Sequence, residues 1–201
     1  VNDDHFPGIV EANARGFYAG PAWKWIFPDD RKRLDQLRWI FARGARIRLK
    51  YCESYTTDRE VLGVSMWSPP TRKAGVPIWD QLTSGLLKVP FKFGPGVLFR
   101  LNKFTSHENE FCREIFKAGS FWVVESIVVH PDFQRKGLGG KLLELGLKKA
   151  DLERMPVFVL THDPANLAFY GKHGFKLVKE TGFGSSGLVS YGMIREPVES
   201  L

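Results

Sequence analysis

Phe121-Trp122-Val123-Val124-Glu125-Ser126-Ile127-Val128-Val129 is a nearly continuous apolar run, the pattern of a central strand covered on both faces. Pro131 ends it. The spacing then predicts a helix from about Lys136 to Glu153. Lys141, Glu144, Lys148 and Asp151 form its wet stripe, and Leu138, Leu142, Leu143, Leu145, Leu147 and Ala150 form a broad buried face. Pro156-Val157-Phe158-Val159-Leu160 follows as the next strand. Strand, helix and strand make a βαβ unit, which requires two parallel strands joined by a right-handed crossover.

Outward from this unit the chain stays regular. Asp163 suits a helix N-cap, Pro164 the first helical position and Gly174 the left-handed stop. Strands are expected over Phe175 to Glu180 and Leu188 to Ile194, joined by the turn Gly182 to Gly187. Toward the amino end, the chain reads helical to about Arg46. The acidic pair Asp29-Asp30 starts a helix that keeps Leu34, Leu37, Ile40 and Phe41 on one side. Arg31, Lys32, Arg33, Arg38, Arg43 and Arg46 crowd that helix and read as its solvated face. Two strands are expected next, Ile47 to Glu53 and Glu60 to Trp67. The stretch 69–119 is rich in Pro, Gly and Phe, with helices around Trp79 to Leu87 and Val97 to Phe116; it reads as a helical insertion over one end of the sheet. The fold class is α/β (α+β): a mixed, mostly antiparallel sheet flanked by helices.

The turn Gln134-Arg135-Lys136-Gly137-Leu138-Gly139-Gly140-Lys141 lies between the first strand and its helix. Glycines let the backbone approach a ligand closely. The amides at a helix start point outward, where the helix dipole is positive, and a pyrophosphate suits such a place. Arg135, Lys136 and Lys141 add positive charge. A P-loop would need Gly at 135 and Ser or Thr at 142, where Arg135 and Leu142 stand. The dinucleotide fingerprint would need a small residue in place of Leu142.

Composition narrows the class. At 43% hydrophobic and 25% charged, the 201 residues argue against extended disorder. Two distant cysteines, Cys52 and Cys112, exclude a disulfide-dense scaffold and offer no zinc spacing, and no metal site is expected. No apolar run approaches a membrane span, and Val1-Asn2-Asp3-Asp4-His5 is no signal peptide. The net charge of +7 favours polyanionic or phosphate-bearing partners. Lys88, Lys92, Arg100 and Lys103 beside Phe residues could suit a membrane surface, but the prolines and glycines around them suit a substrate lid better.

Val129-His130-Pro131-Asp132-Phe133-Gln134-Arg135-Lys136-Gly137-Leu138-Gly139 resembles the acetyl-CoA signature of the GCN5-related N-acetyltransferase (GNAT) superfamily, Gln/Arg-x-x-Gly-x-Gly/Ala. Asn166 through Phe175 is similar to that family's Asn-x-x-x-x-Tyr-x-x-x-Gly-Phe motif. The resemblance is strong from Phe121 to Leu177 and weaker toward both ends, and Trp67-Ser68-Pro69-Pro70 with the long insertion is similar to the puromycin-acetyltransferase-like branch. The family's usual first strand would precede Val1, so the chain reads as shortened at its amino end. The resemblance implies one GNAT domain over 1–201, whose parallel strand pair splays. Backbone groups of Ile127, Val128 and Val129 would hold the pantetheine arm. Residues Gln134, Arg135, Lys136, Gly137, Leu138, Gly139, Gly140 and Lys141 would hold the pyrophosphate, and Asn166 and Tyr170 would complete the acetyl-CoA site.

Transfer from a thioester to an amine needs a neutral amine, a donor for the oxyanion and a proton for the leaving thiolate. The resemblance makes Tyr170 the acid; Asn166, four residues earlier, shares its helix face. Glu125 interrupts an apolar strand, where a carboxylate is costly unless paired or used; it is either the base or the partner of an arginine from the amino-terminal half. Trp25, Phe27, Trp67 and Phe121 are candidate walls of an acceptor pocket. The expected function is an acyl-CoA-dependent N-acyltransferase acting on a small-molecule amine, cytoplasmic, monomeric or homodimeric, without nucleic-acid or membrane partners. The alternatives are a non-catalytic acetyl-CoA sensor and an acetyltransferase of a protein or peptide amine.

Overall fold

A computed structural model describes residues 3–57, 60–70 and 78–198. Among them lie six strands and eight α-helices. The strands are β1 (Glu53–Thr56), β2 (Gly63–Ser68), β3 (Trp122–Val129), β4 (Val157–Thr161), β5 (Lys176–Gly182) and β6 (Val189–Arg195). The helices are α1 (Phe6–Gly16), α2 (Pro21–Ile26), α3 (Asp30–Tyr51), α4 (Ile78–Thr83), α5 (Val89–Phe93), α6 (Pro95–Phe116), α7 (Leu138–Leu152) and α8 (Ala165–Lys172). The sheet order is β1-β2-β3-β4-β6-β5. Only β3 and β4 pair parallel; every other neighbouring pair is antiparallel. The βαβ unit is β3-α7-β4, as the apolar runs require.

Helices cover both faces. On one, α7 and α8 bury Trp67, Trp122, Val124, Val157, Val159 and Met193. On the other, α1 and α3 pack over Val64, Met66 and Val128, while Phe111 of α6 packs on Phe158. A side chain should change faces at every step along β3. Trp122 and Val124 obey this, yet Val128 lies on the opposite face from them. The cause is a bulge: Trp67 pairs with Val124 and Met66 with Ser126, leaving Glu125 as the extra residue. Alternation from Val124 points Glu125 toward the α3 and α6 side, and the extra residue then puts Ser126 and Val128 on that side as well.

Several local expectations shift. The alternation of Ile47 and Leu49 with Arg48 and Lys50 mimics a strand, but α3 continues to Tyr51, and β1 starts only at Glu53. Ala45 and Ile47 complete the helical stripe of Leu37, Ile40 and Phe41, so burial favours the longer helix. Asp29 caps α3 as expected, its Oδ1 accepting from the Arg31 amide at 3.0 Å. The basic residues of α3 are not all solvated. Arg33 is 2% exposed and donates to the carbonyls of Phe27 (2.7 Å) and Pro28 (3.2 Å). Arg38 grips Glu11 of α1 with two 2.8 Å hydrogen bonds, holding the Glu11 carboxyl down at about 2. Arg43 stacks over Trp39 and Arg46 over Phe6.

The close packing of Trp67 on α7 has a direct test. A Cβ added at Gly146 would lie 2.2–2.5 Å from the Trp67 indole, which is fully buried. Gly146→Val should lower the unfolding free energy by about 1–3 kcal/mol in denaturant titration, through overpacking.

Candidate functional site

The parallel pair is short. β3 meets β4 only at Trp122↔Val157, Val123↔Phe158 and Val124↔Val159, although both strands run on. Beyond Val124 the strands part, and the bulge at Glu125 marks the parting. A cavity of about 460 Å³ opens there. Ile127, Val128 and Val129 line one side, and Leu160, Thr161, His162, Asp163 and Asn166 the other. Residues 15–17 and 19–23, from the end of α1 into α2, roof it. The Arg38–Glu11 pair fixes α1 to α3 and so helps hold this roof.

The glycine-rich turn stands at the strand end. Arg135 and Gly137 are both left-handed, with φ of 62° and 79°. Any side chain at 137 would have to adopt that disfavoured conformation, although space around it is open. Among the described residues, no protein group accepts from the amides of residues 135–140. Six such amides, alternating with left-handed residues at a helix start, form an anion-binding concavity. Gln134 lines the cavity, and its Nε2 donates to Val129 O at 3.1 Å and braces the turn. His130 is a turn residue, its Nδ1 accepting from the Asp132 amide.

Across the cavity, Thr161 Oγ1 accepts from Asn166 Nδ2 at 3.0 Å and from the Asp163 amide at 3.3 Å. Asp163 Oδ1 in turn caps α8 by accepting from the Ala165 amide. Asn166 is thereby held at the cavity wall. Tyr170, one turn further along α8, is 5% exposed and packs against Phe169 and Phe175. Its hydroxyl donates to no described group, yet it is not fully occluded. Burial pushes that hydroxyl well above the usual phenol range, so it keeps its proton.

The carboxylate end of the site lies under α3 and α6. Glu125 accepts a 2.5 Å hydrogen bond from Ser68 Oγ and lies 3.8 Å from Arg48 Nε, so the arginine partner expected from the amino-terminal half is present. A second carboxylate was not legible as a site residue. Glu108 Oε1 stands 3.5 Å from Nε2 of His162, which lines the cavity. Burial raises the Glu108 carboxyl to about 7, with Arg48 opposing and the Glu125 charge adding to the rise. The same burial drives the His162 imidazole down to about 4, so it is neutral at pH 7. Cys112 is pushed up to about 12 by burial and by Glu108 and Glu125, which leaves it an inert thiol. A signal for Glu108 existed: it falls four residues from both Phe104 and Cys112, on the stripe α6 buries.

The expected acceptor walls sit in packed clusters. Trp67 and Phe27 are 0% exposed and belong to cores, Trp67 beneath α7 and Phe27 beside Phe93. Phe121 packs with Phe116 and Phe158. Trp25 stands edge-on to Phe183. None of the four lines the cavity; Phe17 and Trp23 do. Large aromatic residues are drawn into cores by their area, which is why composition alone misplaces them. No group of three or more His, Cys, Asp or Glu among the described residues could hold a metal, and no described helix is long and apolar enough to cross a membrane.

Residues 104–177 match the family model described as Acetyltransferase (GNAT) domain. Among solved structures, the chain is similar to a Corynebacterium glutamicum protein described as histone acetyltransferase HPA2 and related acetyltransferase. That match has 17% identity and a TM-score of 0.66, covering 100% of this chain and 95% of that one. It is also similar to the ribosomal-protein-S18-alanine N-acetyltransferase of Escherichia coli (13%, TM-score 0.54, 100% and 93% covered). A third likeness is to the PaiA N-acetyltransferase of Thermoplasma acidophilum in complex with coenzyme A (12%, TM-score 0.54, 98% and 95% covered). At these identities the solved structures establish the shared fold.

The raised Glu108 carboxyl also bears on stability. The folded chain holds this proton up to about pH 7, whereas an unfolded carboxyl sheds it near 4.5. The penalty is absent at acid pH and complete above 7. Glu108→Gln should therefore stabilise the fold at pH 8 by about 1–2 kcal/mol, allowing for the solvent-facing side, and have little effect at pH 4. Urea titrations at the two pH values read the difference.

Proposed function

We propose that the chain is an acetyltransferase of the GNAT type, whose domain model residues 104–177 match, and that it moves the acetyl group of acetyl-CoA directly to the amine of a small molecule. One observation carries this most strongly. The cavity opened by the parting of β3 and β4 reaches Gln134, next to six adjacent amides that have no acceptor among the described residues. An elongated ligand with a diphosphate at one end and a neutral arm at the other matches that sequence of environments. The amides of Arg135 to Gly140 would bind the diphosphate, with Lys136 and Lys141 contributing charge. Ile127, Val128 and Val129 present a strand edge without a β4 partner, which can take the amide-bearing arm as a neighbouring strand would. Asn166 offers its side-chain oxygen, since its nitrogen already serves Thr161.

Acetyl-CoA supplies the activated thioester. Tyr170 keeps a protonated hydroxyl without a described protein partner, suited to donate to the departing thiolate. Glu125 lies toward the acceptor end and attracts the ammonium form of the amine. Holding both substrates in one groove removes much of the entropic barrier, on the order of 7–11 kcal/mol in well-aligned cases. α6 supports a small acceptor over a protein one, since it carries Glu108 against His162 at the cavity wall. We read 1–201 as one acetyltransferase domain with that helix as its cover.

Two variants test the assignments. Gly137→Asp puts a negative side chain in a left-handed position at the anion site, and should weaken coenzyme A binding about tenfold or more by calorimetry. Tyr170→Phe should bind coenzyme A like the wild type, and lower kcat about 100-fold in a thiol-release assay across an amine panel. Unchanged affinity in the first, or unchanged turnover in the second, removes the corresponding role.

A further inference from the structure

Two carboxylates, Glu125 and Glu108, stand close to Arg48, and their surroundings differ in kind. Glu125 is committed: Ser68 donates to one oxygen and Arg48 stands beside the other. Glu108 has no such hold. Among the described residues, no lysine or arginine lies within ion-pair distance of it, and its nearest charged-type partner is the imidazole of His162 at 3.5 Å. His162 is both a wall of the cavity and a neighbour of Phe104, which tilts against its ring at 4.9 Å. Glu108 thus sits directly behind the cavity wall, with 32% of its side-chain surface open.

We propose that Glu108, rather than Glu125, takes the proton given up by the acceptor amine, while Glu125 holds the ammonium before transfer and the His162 imidazole, whose Nε2 makes no hydrogen bond among the described residues, stands between Glu108 and the cavity. The proposal rests on the acetyl-transfer reading and deepens it. A base works best when its proton affinity lies near the working pH. Glu108 meets that condition through burial and the Glu125 charge, against Arg48. The groups facing it are Arg48 from α3, Glu125 from β3, His162 after β4, and Cys112 on its own helix. His162 and Cys112 are neutral at pH 7, so neither competes for the proton.

The proton balance closes without another reactant. The ammonium nitrogen passes one proton to the Glu108 carboxylate and becomes a free amine. That nitrogen bonds to the thioester carbonyl carbon, and the carbon–sulfur bond breaks. Tyr170 gives its proton to the thiolate and recovers one from the new amide nitrogen. Glu108 then returns its proton to water, and the net products are the N-acetyl compound, coenzyme A and one proton.

The experiment is the pH dependence of kcat/KM for an amine that the full chain acetylates, with coenzyme A affinity measured in parallel. Wild type should lose activity below about pH 7 with unit slope. Glu108→Gln should lower kcat at pH 8 about 100-fold or more and remove that limb, with coenzyme A affinity unchanged within twofold. Glu108→Asp should keep the limb at reduced rate. Glu125→Gln should raise KM and move the limb to lower pH, because a negative neighbour of Glu108 is gone. Direct ¹³C titration of glutamate carboxyls in the wild-type chain should show one resonance moving near pH 7 that is missing from Glu108→Gln. A Glu108→Gln protein with wild-type rate and limb overturns the proposal, as does a Glu125→Gln protein with no limb, or a wild type without the titrating resonance. Failure to acetylate any amine of a broad panel would overturn the transfer reading and this one together. Acetylation that ignores Glu108 would overturn only this one.

Discussion

β3 cannot remain paired with both neighbours along its whole length. Its hydrogen bonds to β2 persist to Val129, but one extra residue at Glu125 changes its twist, and the parallel contact with β4 ends at Val124. A cavity beside a continuous sheet would require a hole in the hydrogen-bond ladder, with each unpaired buried group costing on the order of 1–3 kcal/mol. Placing the break at the carboxyl end of a parallel pair avoids much of that cost. The strands already diverge there into a helix on one side and a helical cap on the other, and the freed backbone faces a cavity that water or a ligand can enter.

Strand alternation points Glu125 away from the α7 face, where Trp67 and Trp122 leave no room for a charge, toward Ser68 and Arg48. Ser126 then shares that face, its hydroxyl buried without a partner. α6 completes the environment from outside the sheet. Its Phe111 docks against Phe158 and anchors the helix, and one turn earlier this brings Glu108 to His162. Two like-charged carboxylates near one arginine cannot both ionise freely. Arg48 is close to Glu125, so the proton stays with Glu108.

Legibility in the sequence followed the range of the interactions. The βαβ unit, the glycine turn and the cap at Asp163 are local, and they stand where the apolar runs and turn residues require. Glu125 was visible because a charge in an apolar strand is conspicuous. The bulge was not, since it exists only in the pairing with β2. Glu108 and Arg33 were hidden by their neighbours. Each sits in a run of polar residues that reads as solvated, yet each falls on the buried stripe of its helix, Glu108 between Phe104 and Cys112 and Arg33 one turn before Leu37. A charge on the stripe, rather than the charge density of the segment, marks such residues. Trp67 and Phe27 show the opposite case: they carry so much apolar area that cores claim them first.

The two ends of the groove are opposite in electrostatic character. At one, a helix start and its flanking bases gather positive potential around free amides. At the other, two carboxylates share a single nearby arginine, an arrangement that attracts a cation when Glu108 is ionised and tolerates a neutral amine once it is protonated. Under the proposed transfer, a substrate pair of opposite charge would be steered to opposite ends, with the reacting atoms meeting between them. Proton uptake by Glu108 also weakens the hold on the acceptor at the moment its nitrogen must become neutral to attack. The deprotonation step and the release of the ammonium's electrostatic grip are then one event, which follows from putting the poorly compensated carboxylate, rather than the arginine-paired one, behind the wall at His162.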